Sequence, residues 1–220
     1  RRGHQQEQAT HEESEKPTAE DGKCPDGSDP IGDPPPKGKK LECWKGGQTG
    51  KPHGKWTTWY ENGQKSEERE YKDGELHGKW TEWHWNGQKV KEVDYKDGET
   101  HGKWTQWRDY DGQKDVEGEF KDGKRHGKWT DWYVNGQKRS EGEFKDGKKH
   151  GKFTTWYRNE QKRSEDEFKD GNMDGKTTTW HKNGQKRSEG EMKHEKRHGK
   201  WTCWDDEGKQ ITCNSHYRRR

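Results

Sequence analysis

The stretch HGKWTDWYVNGQKRSEGEFKDGKK, from His126 to Lys149, holds two β-rich runs around Val134-Asn135-Gly136 and closes on a Lys-Asp-Gly triplet. Asn-Gly between aromatic, alternating runs is a strong hairpin signal, because both residues tolerate the left-handed backbone of a tight reversal. The residues fit a three-residue loop closed by a left-handed glycine. Lys-Asp-Gly supplies a second turn leading into the next run. The unit is therefore one β-hairpin.

The unit recurs. It restarts at His53, His77, His101, His126 and His150, with Asp174 in the same slot of a sixth copy and His198 opening a seventh. The spacing is 24 residues throughout, except 25 between His101 and His126. The extra residue falls in the turn from Arg108 to Gly112, where an insertion costs least. Repeat five carries Glu160 in the glycine slot, which predicts a strained turn if the geometry is kept. The expected fold is all-β. It is an elongated, twisted antiparallel sheet of about seven tandem hairpins, with about fourteen strands over roughly 65 Å.

Composition agrees with a periodic array and not with one large core. Hydrophobic residues make up 19% and charged residues 40%, values typical of disorder, yet the chain has 14 Trp, 7 Tyr and 4 Phe. Each aromatic side chain buries about 150–250 Å². Folding energy is thus concentrated in large side chains at fixed intervals. Residues 1–40 read as a polar, Pro/Gly-rich leader, disordered or loop-like. Residues 41–217 read as the array and 218–220 as a basic tail. The start at Arg1-Arg2 reads as a processed product or fragment. No apolar run reaches membrane-spanning length. A net charge of +3 with interleaved signs argues for solvated faces and against specific nucleic-acid binding.

The second Trp of the unit is present in every copy: Trp59, Trp83, Trp107, Trp132, Trp156, Trp180 and Trp204. Its constancy predicts the packed row. A three-residue loop places Trp132 and Thr130 on one face with Ser140, Gly142 and Phe144. The strand-two residues Tyr71, Tyr95, Phe120, Phe144, Phe168 and Met192 are expected beside that row. The first aromatic lapses to Thr177 in repeat six, and the position after the second Trp varies widely. Trp56, Trp80, Trp104, Trp129, Tyr133 and Trp201 are therefore the candidate binding face. On it Trp129 and Tyr133 stand among Arg139, Glu141 and Glu143, partly shielded by charged stems.

The four cysteines group at the two ends of the array, without CxxC spacing. That grouping predicts the disulfides Cys24–Cys43 and Cys203–Cys213 in an oxidising compartment. Counting back from the Gly208 turn places Cys203 and Cys213 on one face, diagonally offset.

No catalytic, metal or cofactor site is expected. His194-Glu195-x-x-His198 spells a zinc-protease signature, but in the repeat frame its first two residues are turn positions. Successive repeat histidines stand two strands apart, about 9.6 Å, too far to share one ion. Gly171 to Thr177 is one residue short of a phosphate loop. The recurring Glu pairs lack the divergent environments that a catalytic dyad needs.

The segment from Glu117 through Thr130, EGEFKDGKRHGKWT, resembles the MORN repeat. The continuation GKWTxWYxNGQK resembles the bacterial MORN variant of YwqK-type antitoxins. The likeness covers about residues 41–215. Cys24 to Trp44 resembles the segment preceding such repeats in secreted or lipid-anchored bacterial proteins. The resemblance implies an extended antiparallel scaffold without catalysis of its own. It also implies membrane or phosphoinositide contacts, known for some eukaryotic relatives. The chain departs from the pattern at Arg69, Val93 and Asp166, which occupy the slot of Gly142, and at Asp174. Those units are expected to be less regular.

Three functions fit these residues. The first is a non-catalytic scaffold binding proteins, itself included, as a homo-oligomer or filament, through sheet edges or an aromatic face. The second is a glycan- or anionic-lipid-binding surface. The third is an antitoxin-like intracellular binder. An extracellular, periplasmic or cell-surface location follows from the cysteines and the leader.

Overall fold

The computed structural model describes Cys24 and residues 27–34, 37–47 and 50–213. These residues form one antiparallel meander with no helix. A leading hairpin, β1 (Asp29–Asp33) with β2 (Lys40–Lys45), precedes the array, and β2 also pairs with β3 (Lys51–Pro52) and β4 (Gly54–Trp59). Then follow β5 (Lys65–Lys72), β6 (Glu75–Leu76), β7 (Gly78–Trp83), β8 (Lys89–Lys96), β9 (Glu99–Trp107), β10 (Lys114–Lys121) and β11 (Lys124–Trp132). The sheet continues through β12 (Lys138–Lys145), β13 (Lys148–Trp156), β14 (Lys162–Lys169), β15 (Asn172–Trp180), β16 (Lys186–Lys193), β17 (Lys196–Trp204) and β18 (Gln210–Ile211). Seven tandem hairpins run from β4–β5 to β17–β18. The all-β reading holds. β1 lies within residues 1–40 and already pairs with β2.

Local chemistry sets each reversal. In the fourth hairpin the Tyr133 amide donates to the Gln137 carbonyl, and the Gly136 amide to the Tyr133 carbonyl. Val134, Asn135 and Gly136 are thus the three-residue loop expected, and Gly136 has φ 80°. At the other margin Asp146 and Gly147 both lie in the left-handed region, with φ of 51° and 80°. Here an aspartate tolerates what most residues do not.

Glu160 keeps the glycine geometry at φ 64°, and its amide still donates to the Tyr157 carbonyl. Its carboxylate accepts from Gln137 Nε2 at 2.6 Å, an exposed bond that offsets little of the backbone strain. Glu160→Gly is expected to raise stability by about 1 kcal/mol, measured as the shift in denaturant midpoint at constant slope. An unchanged midpoint would show that the turn carries no strain.

The register departs from expectation although the loop does not. Trp132 pairs with Lys138, but Asp131 pairs with Ser140, so Arg139 is left over as a bulge. Beyond it Thr130 faces Glu141, Trp129 faces Gly142 and Gly127 faces Phe144. A one-residue slip reverses which strand-two side chains accompany which strand-one side chains. Trp129 therefore shares a face with Gly142 and Phe144. Trp132 lies with Thr130 and Glu141 on the other. The expected grouping of Trp132 with Ser140, Gly142 and Phe144 is corrected by this bulge. The same shift occurs beside Trp59, Trp83, Trp107, Trp156 and Trp180.

Candidate interaction surfaces

The first-aromatic face holds a continuous spine. Trp104, Phe120, Trp129, Phe144, Phe153 and Phe168 follow one another at ring-centroid distances of 5.1–6.4 Å. Most of these contacts are edge-to-face, the arrangement that ring quadrupoles favour. Trp129 is 3% exposed and Phe153 7%, while Trp56, Trp80, Trp104 and Trp201 are half-buried. Trp129, expected on a shielded outer face, is thus a centre of packing. Its indole Nε1 donates to the Glu119 carbonyl at 3.1 Å.

Glycine makes this stacking possible. A Cβ added at Gly118, Gly142 or Gly190 would lie 2.2, 2.5 or 2.4 Å from the ring of Trp129, Phe153 or Trp201, respectively. Each ring therefore lies on the glycine of the preceding hairpin. Cations close the outer side: Arg125 stands 4.2 Å over Trp129, Arg197 4.2 Å over Trp201 and Lys149 4.7 Å over Phe153. Where the glycine is replaced, its partner adapts. Val93 is buried opposite Trp104, and Arg69 stacks 4.7 Å over Trp80. Asp166 accepts a hydrogen bond from the Thr177 hydroxyl. The loss of glycine at 166 and of the aromatic ring at 177 are thus one paired change.

The opposite face carries the second-Trp row. Trp59 is 4% exposed, and Trp83, Trp107, Trp132, Trp156, Trp180 and Trp204 are half-buried. The strand-two aromatics do not pack beside them. Lysines do: Lys138, Lys162 and Lys186 stand 6.0, 5.6 and 5.9 Å from the rings of Trp156, Trp180 and Trp204. Each lysine also pairs with the glutamate three residues on, as Lys138 does with Glu141. A second lysine reaches several of these carboxylates from the facing strand, Lys128 meeting Glu141 at 3.1 Å. Partial burial pushes the Glu141 carboxyl up, but hydrogen bonds from Lys138 and Lys128 outweigh it and leave it below the usual range. Glu92 and Glu165 follow the same pattern.

The two long margins are laddered. On the hairpin-loop rim the Tyr60, Tyr133 and Tyr157 hydroxyls donate to the Trp83, Trp156 and Trp180 carbonyls at 2.8–2.9 Å. His181 Nε2 lies 2.9 Å from the Trp204 carbonyl. The variable position after the second Trp is thus filled in most repeats by groups that reach the next hairpin. Tyr133, expected on the binding face, is one of these staples. Asn62, Asn135, Asn159 and Asn183 donate similarly to the following loop. In the inserted loop Arg108, 8% exposed, replaces tyrosine. It donates to Asp111, to Gln113 and to the carbonyls of Lys114, Tyr133 and Val134.

On the opposite rim four repeat histidines, His53, His77, His101 and His150, meet the aspartate of the next turn, while the buried Nδ1 of His126 has no hydrogen-bond partner. The Nδ1 atoms of His53, His77 and His101 lie 3.4, 3.5 and 3.2 Å from Asp73, Asp97 and Asp122. The pair is inverted once: His194 Nδ1 lies 3.7 Å from Asp174. The two departures stand 20 residues apart, the spacing of His53 and Asp73, a signal that sequence reasoning passed over. His194 and Glu195 have φ of 47° and 64°, and strand β17 begins at Lys196. The zinc-protease spelling therefore straddles a turn and a strand and lacks the helical face that the chemistry requires. Among the described residues, no three His, Cys, Asp or Glu groups are placed to hold a metal. Among the same described residues, no helix is long and apolar enough to cross a membrane.

Both expected disulfides are present, Cys24–Cys43 and Cys203–Cys213, with Cα separations of 5.5 and 5.3 Å. They tie down the two ends of the array, and Cys43 is 1% exposed. Replacing Cys203 and Cys213 together by serine is expected to cost about 2–4 kcal/mol in a denaturant melt. No loss would mean that the last hairpin is held without the bond. The basic tail, residues 218–220, lies outside the described residues.

A single-layer stack of tandem hairpins, laddered on both rims, defines a repeat protein. A family model described as the MORN repeat variant matches residues 52–73, 76–97, 125–146, 149–170 and 173–194. These blocks make up half of the chain, and the chain belongs to that family. Each block starts just before or within the His-slot strand and ends at the next turn's Asp or, in the last block, His194. The repeat with the inserted loop falls outside them. No curated protein matches the chain.

Proposed function

We propose that the chain is a non-catalytic scaffold that binds proteins, itself included, in an extracellular, periplasmic or cell-surface setting. The observation that carries this reading is the covering of the aromatic rings. Sugar binding needs open ring faces, yet Arg125, Lys149 and Arg197 lie over one row, and Lys138, Lys162 and Lys186 approach the other. These lysines are also held by glutamates, which lowers their value for anionic lipid. Repeat arrays present long, rigid surfaces suited to protein partners. The disulfides favour an oxidising compartment and count against a YwqK-type intracellular antitoxin.

The test is light scattering of the full chain from dilute to concentrated protein, beside flotation with anionic liposomes and binding to immobilised glycans. A mass that rises with concentration, with no liposome or glycan binding, is expected. A constant monomer that floats with anionic vesicles would replace this reading by the lipid-binding one.

A further inference from the structure

We propose that the rim formed by the second, third and fourth hairpin loops docks a second copy of this chain about a two-fold axis through Tyr110. The inference rests on the self-association in the reading above and names its surface.

Exposed large apolar side chains are few in this molecule. Among the described residues they are Trp85 at 61%, Tyr110 at 64%, Val134 at 60% and Ile211 at 45%. The first three occupy three successive loops of one rim, and neighbouring loops stand two strands apart, about 9.6 Å. Exposure of this kind, grouped and bordered by charge, marks an interaction surface. The corresponding loop residues outside the group are charged: Glu61 before it, Arg158 and Lys182 after it.

The rim is held in shape from below. Asn62 donates to the Trp85 carbonyl, and Asn135 to the Arg158 carbonyl. Arg108 binds the Val134 carbonyl at 3.2 Å and stands 5.8 Å from the Tyr110 ring. Burying a cation is unfavourable unless it is fully bonded, and Arg108 is bonded on every nitrogen. The inserted residue and its arginine therefore build a rigid platform at the centre of the apolar group.

Charge selects the occupant. Taken in order, the rim reads Glu61, Trp85, Asp109 with Tyr110 beside it in the lengthened loop, Val134, Arg158. An antiparallel copy centred on Tyr110 brings Tyr110 against itself and Trp85 against the copy's Val134. It also brings Glu61 to the copy's Arg158, twice over. That is the self-complementarity of an isologous interface. A parallel copy would set Glu61 beside Glu61. The present partner of Glu61, Lys39 at 2.8 Å, is an exposed ion pair and easily exchanged. The sheet edges are poorer candidates: β1 carries Pro30, and β18 is two residues long. A rim this narrow buries less than the ~800 Å² per partner of a standard complex, so the dimer is weak and concentration-dependent.

Sedimentation equilibrium of the full chain tests this. Tyr110→Ser with Val134→Ser should weaken dimerisation by at least about tenfold, since each change acts twice in a two-fold interface. Glu61→Arg and Arg158→Glu should each weaken it, and the two together should restore it. All four side chains are exposed and make only surface contacts, so thermal melts should stay close to wild type. A wild-type dimer indifferent to these changes, or a double reversal worse than either single one, overturns the rim and leaves self-association standing. A wild-type monomer at every concentration overturns both.

Discussion

Trp129→Ala is expected to lower stability by about 3–5 kcal/mol, and Trp132→Ala by clearly less. Trp129 is 3% exposed, stacked between the glycine at 118 and the Arg125 guanidinium, and in edge contact with Phe120 and Phe144. Its removal opens a cavity that the backbone of a continuous sheet cannot close, and it strips a donor from the Glu119 carbonyl. Trp132 is only half-buried, so its truncation returns less apolar surface to water and opens no enclosed cavity. Its constancy in every unit makes it the expected packed residue on sequence alone, so the two outcomes are opposed. Urea titration of both variants, followed by far-ultraviolet circular dichroism, separates them. Equal losses, or a larger loss at Trp132, would refute the bulged register. Repeat arrays unfold by neighbouring units, so hydrogen exchange should place the Trp129→Ala weakening in β10–β12.

Gly142→Asp is expected to cost more than about 3 kcal/mol, because a Cβ there meets the Phe153 ring at 2.5 Å and the carboxylate is buried without a donor. Phe153→Thr alone should cost about 3 kcal/mol through loss of a ring that is 7% exposed. The double variant recreates the arrangement that Asp166 and Thr177 already form one repeat later. It should therefore be less destabilised than the sum of the singles by about 1–3 kcal/mol. Strict additivity would mean that Asp166 and Thr177 are independent substitutions.

Both predictions rest on the same property of the array. Hairpins complete their packing on their neighbours, at different junctions through ring on glycine, rim hydroxyl on carbonyl, or histidine on aspartate. A change in one repeat is thus answered about one repeat away, as Asp174 is by His194 and Asp166 by Thr177. Read one slot at a time, these look like isolated irregularities. Read at the distance of the contacts, 20 and 11 residues, they are paired.

The hairpin unit, its seven copies, the loop type, the Lys-Asp-Gly turns and the pairing of the cysteines were all legible in the sequence. They are local: Asn-Gly and Asp-Gly demand left-handed backbone wherever they occur, and the 24-residue period repeats the demand. The choice of face was not legible. In most units both faces carry an aromatic ring among charges, so the alternation of apolar and polar residues selects neither. One unpaired residue, Arg139 and its equivalents, then decides the pairing. A bulge has no compositional mark, since serine, valine, aspartate and arginine all occupy that position. The Arg108 clamp likewise appeared only as an extra residue in a turn. Its five partners lie in two different loops, and only the stacking of those loops brings them within reach of one guanidinium.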